Sequence, residues 1–302
     1  MKVLVVLASY NGDKYILDQL NSILNQIDVD VMIHVFDDFS NDFTCETICS
    51  INDPRIILTK SNTNSGSAAL NFLNSLCSFD SSYLSSFDFI SFADQDDIWI
   101  NCKLINAIRL LKFDNSDLYA SDLTIWDTQR GTKTKLVKSH TYNRFDYLFE
   151  GASAGCTYVF SIKLALDFIN HIKFLDFKNW KYISHDWVLY FYARYRKYKV
   201  SLDSESYILY RIHTTNVHGG LNLISFDSIY KKIRLFYSDW YEIHTLNFMK
   251  FFLNPTDEEA LIYKYYNLNW ASRIYVLLKY NFRLMRSKKK YFVFLFLNLF
   301  KF

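Results

Sequence analysis

The chain opens on an unbroken apolar run, Val3–Ala8, and such runs alternate with helix-spaced segments over roughly the first 120 residues. A run that is apolar throughout predicts a central strand covered on both faces. Ile16, Leu20, Ile23 and Leu24 then recur at the spacing of one helix face, with Asn11 or Asp13 placed to cap it. Further along, strands are expected at Val31–Phe36, Arg55–Thr59, Phe87–Ala93 and Leu118–Ser121. Helices are expected between them at Thr44–Ile51, Ser67–Cys77 and Ile98–Lys112. This order implies an α/β fold with a mostly parallel, Rossmann-like sheet and helices on both faces.

Beyond residue 122 the pattern loosens. Thr124–Lys138 reads as a hairpin or loop, and Gly151–Gly155 is the densest small-residue stretch. Ser184–Tyr195 reads as a helix and Lys199–Ile212 as strand-like. From Leu221 helical spacing and aromatic residues dominate, and Pro255 interrupts them. Thr256 and Glu259 have the spacing of a capping box. The expected division is a catalytic domain over 1–220 and a helical, basic, aromatic region over 221–302.

Half of the 302 residues are hydrophobic, with seven Gly and two Pro, which favours a sizeable core over long linkers. The five cysteines form no CxxC pair, which argues against a disulfide framework or a zinc site and makes a reducing cytoplasm the default. The opening apolar run is too short for a signal-peptide core.

Candidate chemistry concentrates in Asp94-Gln95-Asp96-Asp97, directly after an apolar strand. Like charges that close repel, and a divalent cation such as Mg²⁺ or Mn²⁺ relieves them while bridging to substrate phosphates. The alternative is a solvated acidic turn that caps the next helix. Asp37-Asp38 also ends a strand, where carboxylates either receive a base or ribose hydroxyls or act as turn and cap residues. Asp186, at a helix start beside Trp187, is either a general base or an ordinary first-turn acid. Alternation puts Arg211 and His213 on one face, suited to a diphosphate or a metal. Asn64-Ser65-Gly66 and Gly151–Gly155 permit either a tight turn or close backbone approach to a ligand.

Taken in order, these segments resemble a family-2 glycosyltransferase with the GT-A fold. The matching stretches are Ala8–Gly12, Gln19–Gln26, Asp37–Ser40, Asn64–Gly66, Ala93–Trp99, Gly155–Thr157, His185–Trp187 and Tyr210–His213. The form of Asp94–Trp99 is similar to the rhamnosyltransferase-like branch that builds bacterial surface polysaccharides. The resemblance implies an inverting transfer from a nucleotide-diphospho-sugar to a glycan or lipid-linked acceptor. It implies donor-binding roles for Ser9, Tyr10, Asn11, Asp37, Asp38, Asn64, Gly66, Asp94 and Arg211. Asp96, Asp94 and His213 would hold the metal, with Asp97 a helix cap or a supporting neighbour. Asp186 would be the base, and Gly155, Cys156, His185 and Trp187 would lie on the acceptor side. Phe39 departs from the pattern, since many relatives carry a small residue, often Gly, there. The competing readings are a nucleotidyltransferase acting on a sugar phosphate and a non-catalytic nucleotide-sugar-binding component.

Glu259 is the last acidic residue, and nine basic residues follow it. Lys288-Lys289-Lys290 precede an apolar segment too short to span a bilayer. The expectation is an interfacial tail on the anionic inner face of the cell membrane. The alternatives are packing on the catalytic domain or on a second copy, so a homo-oligomer stays open. A nucleic-acid partner is not expected, because no recognisable binding module accompanies the charge.

Overall fold

The computed structural model describes residues 1–138, 141–212, 233–234 and 236–301. The chain divides into two compact units. The first comprises 1–139, 152–175 and 193–213, and the second 140–151, 176–192 and 214–302.

The first unit holds a nine-stranded sheet. Its strands are β1 (Lys2–Ser9), β2 (Asp30–Asp37), β3 (Ile56–Lys60), β4 (Phe89–Asp94), β5 (Ile98–Trp99), β6 (Leu118–Asp127), β7 (Thr132–Leu136), β8 (Val159–Ser161) and β9 (Val200–Ile212). Their order is β3-β2-β1-β4-β8-β6-β9-β5, with β7 paired to β6. The links β1–β2, β2–β3, β1–β4 and β6–β9 are parallel, and β8, β5 and β7 pair antiparallel. Val3 through Leu7 are wholly buried, as a continuous apolar strand covered on both faces requires. The chain runs outward from β1 through β2 to β3, then returns to place β4 on the other side of β1. That reversal of strand order is where an open α/β sheet opens a crevice at its carboxyl ends.

Several local expectations shift. Helix α1 (Asp13–Leu24) begins after Gly12 with no side-chain cap. Asn11 instead adopts φ 48° and accepts from the Asn41 N–H, and Asp13 accepts from the Thr47 hydroxyl, so both side chains are drawn to the neighbouring loop and helix. The expected helix from Ile98 starts only at Lys103, running to Asp114. Ile98 and Trp99 pair with Leu209 and Ile208 of β9, so the sheet takes a β-branched and an aromatic residue that the helical spacing had claimed. Leu118–Ser121 lengthens to Asp127 and folds back through β7, realising the hairpin.

In the second unit Phe191, Phe248, Trp180, Trp187 and His244 pack as one aromatic cluster. Helices Trp240–Phe248, Glu258–Leu268, Trp270–Tyr280 and Lys288–Leu299 belong to this unit. The capping box does not form. Asp257 precedes the helix at Glu258, and the Thr256 hydroxyl turns back to Asn254 Oδ1 at 2.7 Å, so the turn after Pro255 captures the expected cap. Among the described residues no helix is long and apolar enough to cross a membrane.

Candidate active site

Strand register assembles the rim of the first unit's crevice. Ser9 pairs with Asp37 across β1–β2, and Ala8 with Asp94 across β1–β4. Residues far apart in sequence thus share one row at the carboxyl ends of adjacent parallel strands. Asp37 accepts from the Ser9 hydroxyl at 3.0 Å, and from Ser40 through its N–H at 2.9 Å and its hydroxyl at 2.5 Å. Asp38 accepts from the Ser65 N–H at 2.7 Å and hydroxyl at 2.8 Å. Asn64 donates to the Asp38 carbonyl at 3.1 Å and accepts from the Gly66 N–H at 2.7 Å. Gly66 sits at φ 92°, a conformation that calls for glycine. Both aspartates are buried and act here as loop latches, which is the turn-and-cap alternative for this pair.

Tyr10 stands exposed on the rim while its backbone is clamped by Gln95, which accepts from the Tyr10 N–H at 2.8 Å and donates to its carbonyl at 3.0 Å. Gly12 makes room for that clamp, because a Cβ there would lie 2.2 Å from Gln95 Oε1. The Asn11 N–H donates to Ser40 Oγ at 2.8 Å, tying the same loop to Asp37. Phe39 holds φ 67°, the left-handed region in which glycine is least strained.

The acidic loop is organised differently from its sequence reading. Ligand atoms of Asp94, Asp97 and Cys156 lie within 4.8 Å of one another. Asp97 does not cap a helix. It is 0% exposed, and among the described residues the Cys156 thiol and the Arg211 N–H approach its carboxylate without completing a hydrogen bond of good geometry. Burial, and then the Asp94 and Asp96 carboxylates, push its carboxyl well above the usual range. A buried carboxylate without a well-formed hydrogen bond is costly, and a cation among these acids removes that cost. Cys156, expected on the acceptor side with Gly155, sits on the buried turn Gly155–Thr157. Burial and the Asp97 and Asp94 carboxylates push its thiol well up, so it remains protonated and fits a hard cation less well than the carboxylates do.

Three residues to which the sequence reading gave no role complete the surroundings. Lys103 is fully buried, donates to Ser91 Oγ at 3.1 Å and lies 3.5 Å from the Trp99 ring centroid. Burial pushes its ammonium down to about 7, against the opposing pull of Cys156 and Asp97. Its signal in the sequence is a lysine in register with the apolar stripe of its own helix. Burial, followed by Asp94 and Asp97, pushes the Tyr210 phenol up, which keeps it a hydrogen-bond donor. Gln95, hidden inside the acidic motif, is the clamp already described. Arg211 is buried, lies over the Tyr15 and Trp126 rings, and donates to the Asp96 carbonyl and the Asp18 carboxylate, both at 3.0 Å. It thereby braces the acidic loop. His213 lies outside the described residues.

Asp186 belongs to the second unit, in the first turn of helix His185–Tyr195. Its Oδ1 accepts from the Ser184 hydroxyl and, at 2.7 Å, from the Trp187 N–H. Trp187 is buried, donates its indole N–H to the Tyr147 carbonyl at 2.8 Å, and stacks on Trp240 and His244. A Cβ added at Gly151 would lie 3.5 Å from the Trp187 Cβ, an ordinary contact, so the tryptophan's approach does not require glycine there. His185 is half-buried beside Asp186. The carboxylate is therefore held on a rigid aromatic platform.

With this geometry in place, comparison with known proteins is decisive on family. The profile of "Glycosyl transferase family 2" matches residues 4–164, which carry Ser9, Asp37, Asp94 and Cys156. The chain belongs to glycosyl transferase family 2. This family 2 transferase is 38% identical over 241 residues to "dTDP-rhamnosyl transferase RfbG" of Shigella flexneri, covering 78% of this chain and 80% of that protein. Among solved structures, residues 1–349 of S. aureus TarS in complex with UDP match with a TM-score of 0.57 at 20% identity. That match covers 93% of this chain and 74% of the other. The mannosyltransferase PcManGT of Pyrobaculum calidifontis, in complex with GDP-Man and Mn²⁺, matches with a TM-score of 0.54 at 14% identity, over 91% and 72% of the two chains. The fold of this glycosyltransferase is GT-A.

Proposed function

We propose that this transferase moves a sugar, rhamnose or another hexose, from a nucleotide-diphospho-sugar to a lipid-linked or growing polysaccharide, with inversion at the anomeric carbon. The reading rests above all on the buried Asp97 carboxylate, without a counter-charge at ion-pair distance among the described residues and grouped with Asp94 at the end of β4, in a chain of this family. A relative named for dTDP-rhamnose and neighbours holding UDP or GDP-Man with Mn²⁺ support a nucleotide-sugar donor and a divalent cation.

The carboxylate oxygens fit Mg²⁺ or Mn²⁺. Asp96 and Asp94 would hold the ion, with Asp97 closing the group from the buried side and His213 assigned to the same task. When bound, the cation supplies charge neutralisation for the leaving diphosphate. The exposed Tyr10 ring and the loops latched by Asp37 and Asp38 receive the nucleoside, with Asn11, Asn64 and Gly66 shaping the approach. Arg211 keeps the acidic loop in place. The Asp186 carboxylate, anchored through Oδ1, takes the acceptor hydroxyl proton on Oδ2. The freed oxygen bonds to the anomeric carbon as the carbon–oxygen bond to the diphosphate breaks. Residues 1–220 carry this chemistry, and 221–302 keep the enzyme at the cytoplasmic face of a membrane that bears its acceptor.

The test is turnover of a nucleotide-sugar panel, dTDP-rhamnose included, with membrane glycolipid extract and Mn²⁺ or Mg²⁺. Nucleoside diphosphate release is expected, with Asp96→Asn and Asp186→Asn each reducing it on the order of 10³-fold. Pyrophosphate release, or unchanged turnover in both variants, overturns the reading. A product whose anomeric proton shows retained configuration overturns the single displacement.

A further inference from the structure

The last helix, Lys288–Leu299, is turned the wrong way for a helix facing water. Tyr291, Phe294 and Asn298 are its buried residues. The Tyr291 hydroxyl donates to the Leu277 carbonyl at 2.9 Å, fixing the helix against Trp270–Tyr280. Asn298, a polar residue, is fully buried, and its amide donates to the Phe294 carbonyl at 2.8 Å. The exposed positions are Phe292 (57%), Val293 (60%), Phe296 (59%), Leu299 (38%) and Phe300 (58%). At about 100° per residue these five fall within a sector of roughly 120°, opposite the buried positions. Isolated exposed apolar side chains need no explanation, but a continuous apolar helix face does. The neighbouring helix adds Tyr275 and Leu278, both 57% exposed.

The charge on this region is also organised. Of the basic residues after Glu259, four are committed to internal ion pairs: Arg273 with Glu242, Arg286 with Asp146 and Glu150, Lys290 with Glu150, and Lys301 with Asp239 and Glu242. The other five, Lys264, Lys279, Arg283, Lys288 and Lys289, are exposed and have no acidic partner among the described residues. Lys288 and Lys289 occupy the first turn of the helix, where the macrodipole is already positive and disfavours cations. A positive helix end continuous with an apolar face matches the boundary between anionic headgroups and acyl chains. The helix, roughly 18 Å long, is far short of the roughly 30 Å needed to span a bilayer.

We infer that this face lies in the plane of an anionic phospholipid bilayer, with Phe292, Val293, Phe296 and Phe300 in the acyl boundary and Lys288 and Lys289 against lipid phosphates. The inference deepens the membrane-side reading of the transferase and rests on it for its purpose.

The test is flotation of the full chain with phosphatidylcholine vesicles, with and without phosphatidylglycerol. Binding is expected only to the anionic vesicles and to weaken with salt. The double variant Phe292→Gln/Phe296→Gln should weaken partition by at least about tenfold. Lys288→Gln and Lys289→Gln should each weaken it about fivefold. All these positions are exposed, so thermal melting and donor binding should match the parent. Absence of flotation by the parent overturns the inference. So does a concentration-dependent dimer that the Phe292→Gln/Phe296→Gln change dissociates, since the face then covers a second copy. Equal binding to neutral and anionic vesicles also overturns it. The Asp96→Asn and Asp186→Asn turnover assay fails or succeeds separately, so loss of the transferase reading is told apart from loss of the membrane face.

Discussion

The acids of the first unit's rim and those of the second unit are treated in opposite ways, although away from the rim the first unit also pairs one buried acid, Asp122, with Lys135 at 3.8 Å. At the rim, Asp37, Asp38 and Asp97 are buried, and none has a cation at ion-pair distance among the described residues. Hydroxyls and backbone N–H groups serve the first two, and Asp97 is approached, among the described residues, only by the Cys156 thiol and the Arg211 N–H, neither in good hydrogen-bond geometry. In the second unit, Arg286 is sandwiched between Asp146 and Glu150, while Arg273 and Lys301 converge on Glu242. Neutralised acids make a scaffold, because their charge is complete without a ligand. Acids left without a counter-charge keep a field for something that arrives from outside.

The largest test of this contrast is Arg286→Met. The Arg286 side chain is 3% exposed and also donates to the Gly151 carbonyl, so its loss leaves buried Asp146 without a counter-charge and Glu150 with Lys290 alone. A destabilisation of about 3–5 kcal/mol is expected in urea unfolding. A cost below about 1 kcal/mol would mean that these pairs are incidental and the contrast false.

The next test is pH. His244 is wholly buried in the second unit, and burial lowers its pKa from 6.5 to about 4. The unfolded chain therefore takes up a proton near 6.5 while the folded one stays neutral. Stability is full above about 6.5, falls as the pH drops, and levels off near 4, where the folded form protonates too. The His244 share of the loss across that window is about 3 kcal/mol. His244→Phe should reduce the slope in a series of melts without abolishing it, because burial also lowers His34 to about 4. An unchanged slope in that variant would assign the acid sensitivity elsewhere.

The smallest test returns to the first unit's rim. Phe39→Gly relieves a left-handed backbone at an exposed side chain, and a gain of about 1 kcal/mol is expected. A loss of stability instead would show that the Phe39 ring holds the rim in place.

Much of the first unit could be read from periodicity because its strands are continuous apolar runs with carboxylates at their ends. Val3–Ala8, Val31–Phe36 and the acidic ends at Asp37 and Asp94 are local patterns, and local patterns survive folding. Of the two readings of Asp97, a helix cap or a supporting neighbour, the cap fails because the residues after it join β9, a partner more than 100 residues away, and the helix starts only at Lys103. Cys156 reached the acidic group by the same kind of non-local pairing, and Lys103 was hidden by being polar within an apolar stripe. The C-terminal basic run looked like a free cationic tail, yet four of its charges close on acids at Asp146, Glu150, Asp239 and Glu242. Segments 140–151 and 176–192 join the C-terminal helices, a grouping with no signature along the chain.

The reversal of strand order at β1 also has a kinetic consequence. Ser9, Asp37, Asp94 and Cys156 come together only after β4 has docked beside β1 and β8 has paired with β4. Such distant closures are slow compared with forming a helix. A chain emerging from the ribosome therefore holds its acidic loop for some time as an ordinary, solvated stretch. Competence for a cation, and with it any reaction, arrives as one of the last events of folding.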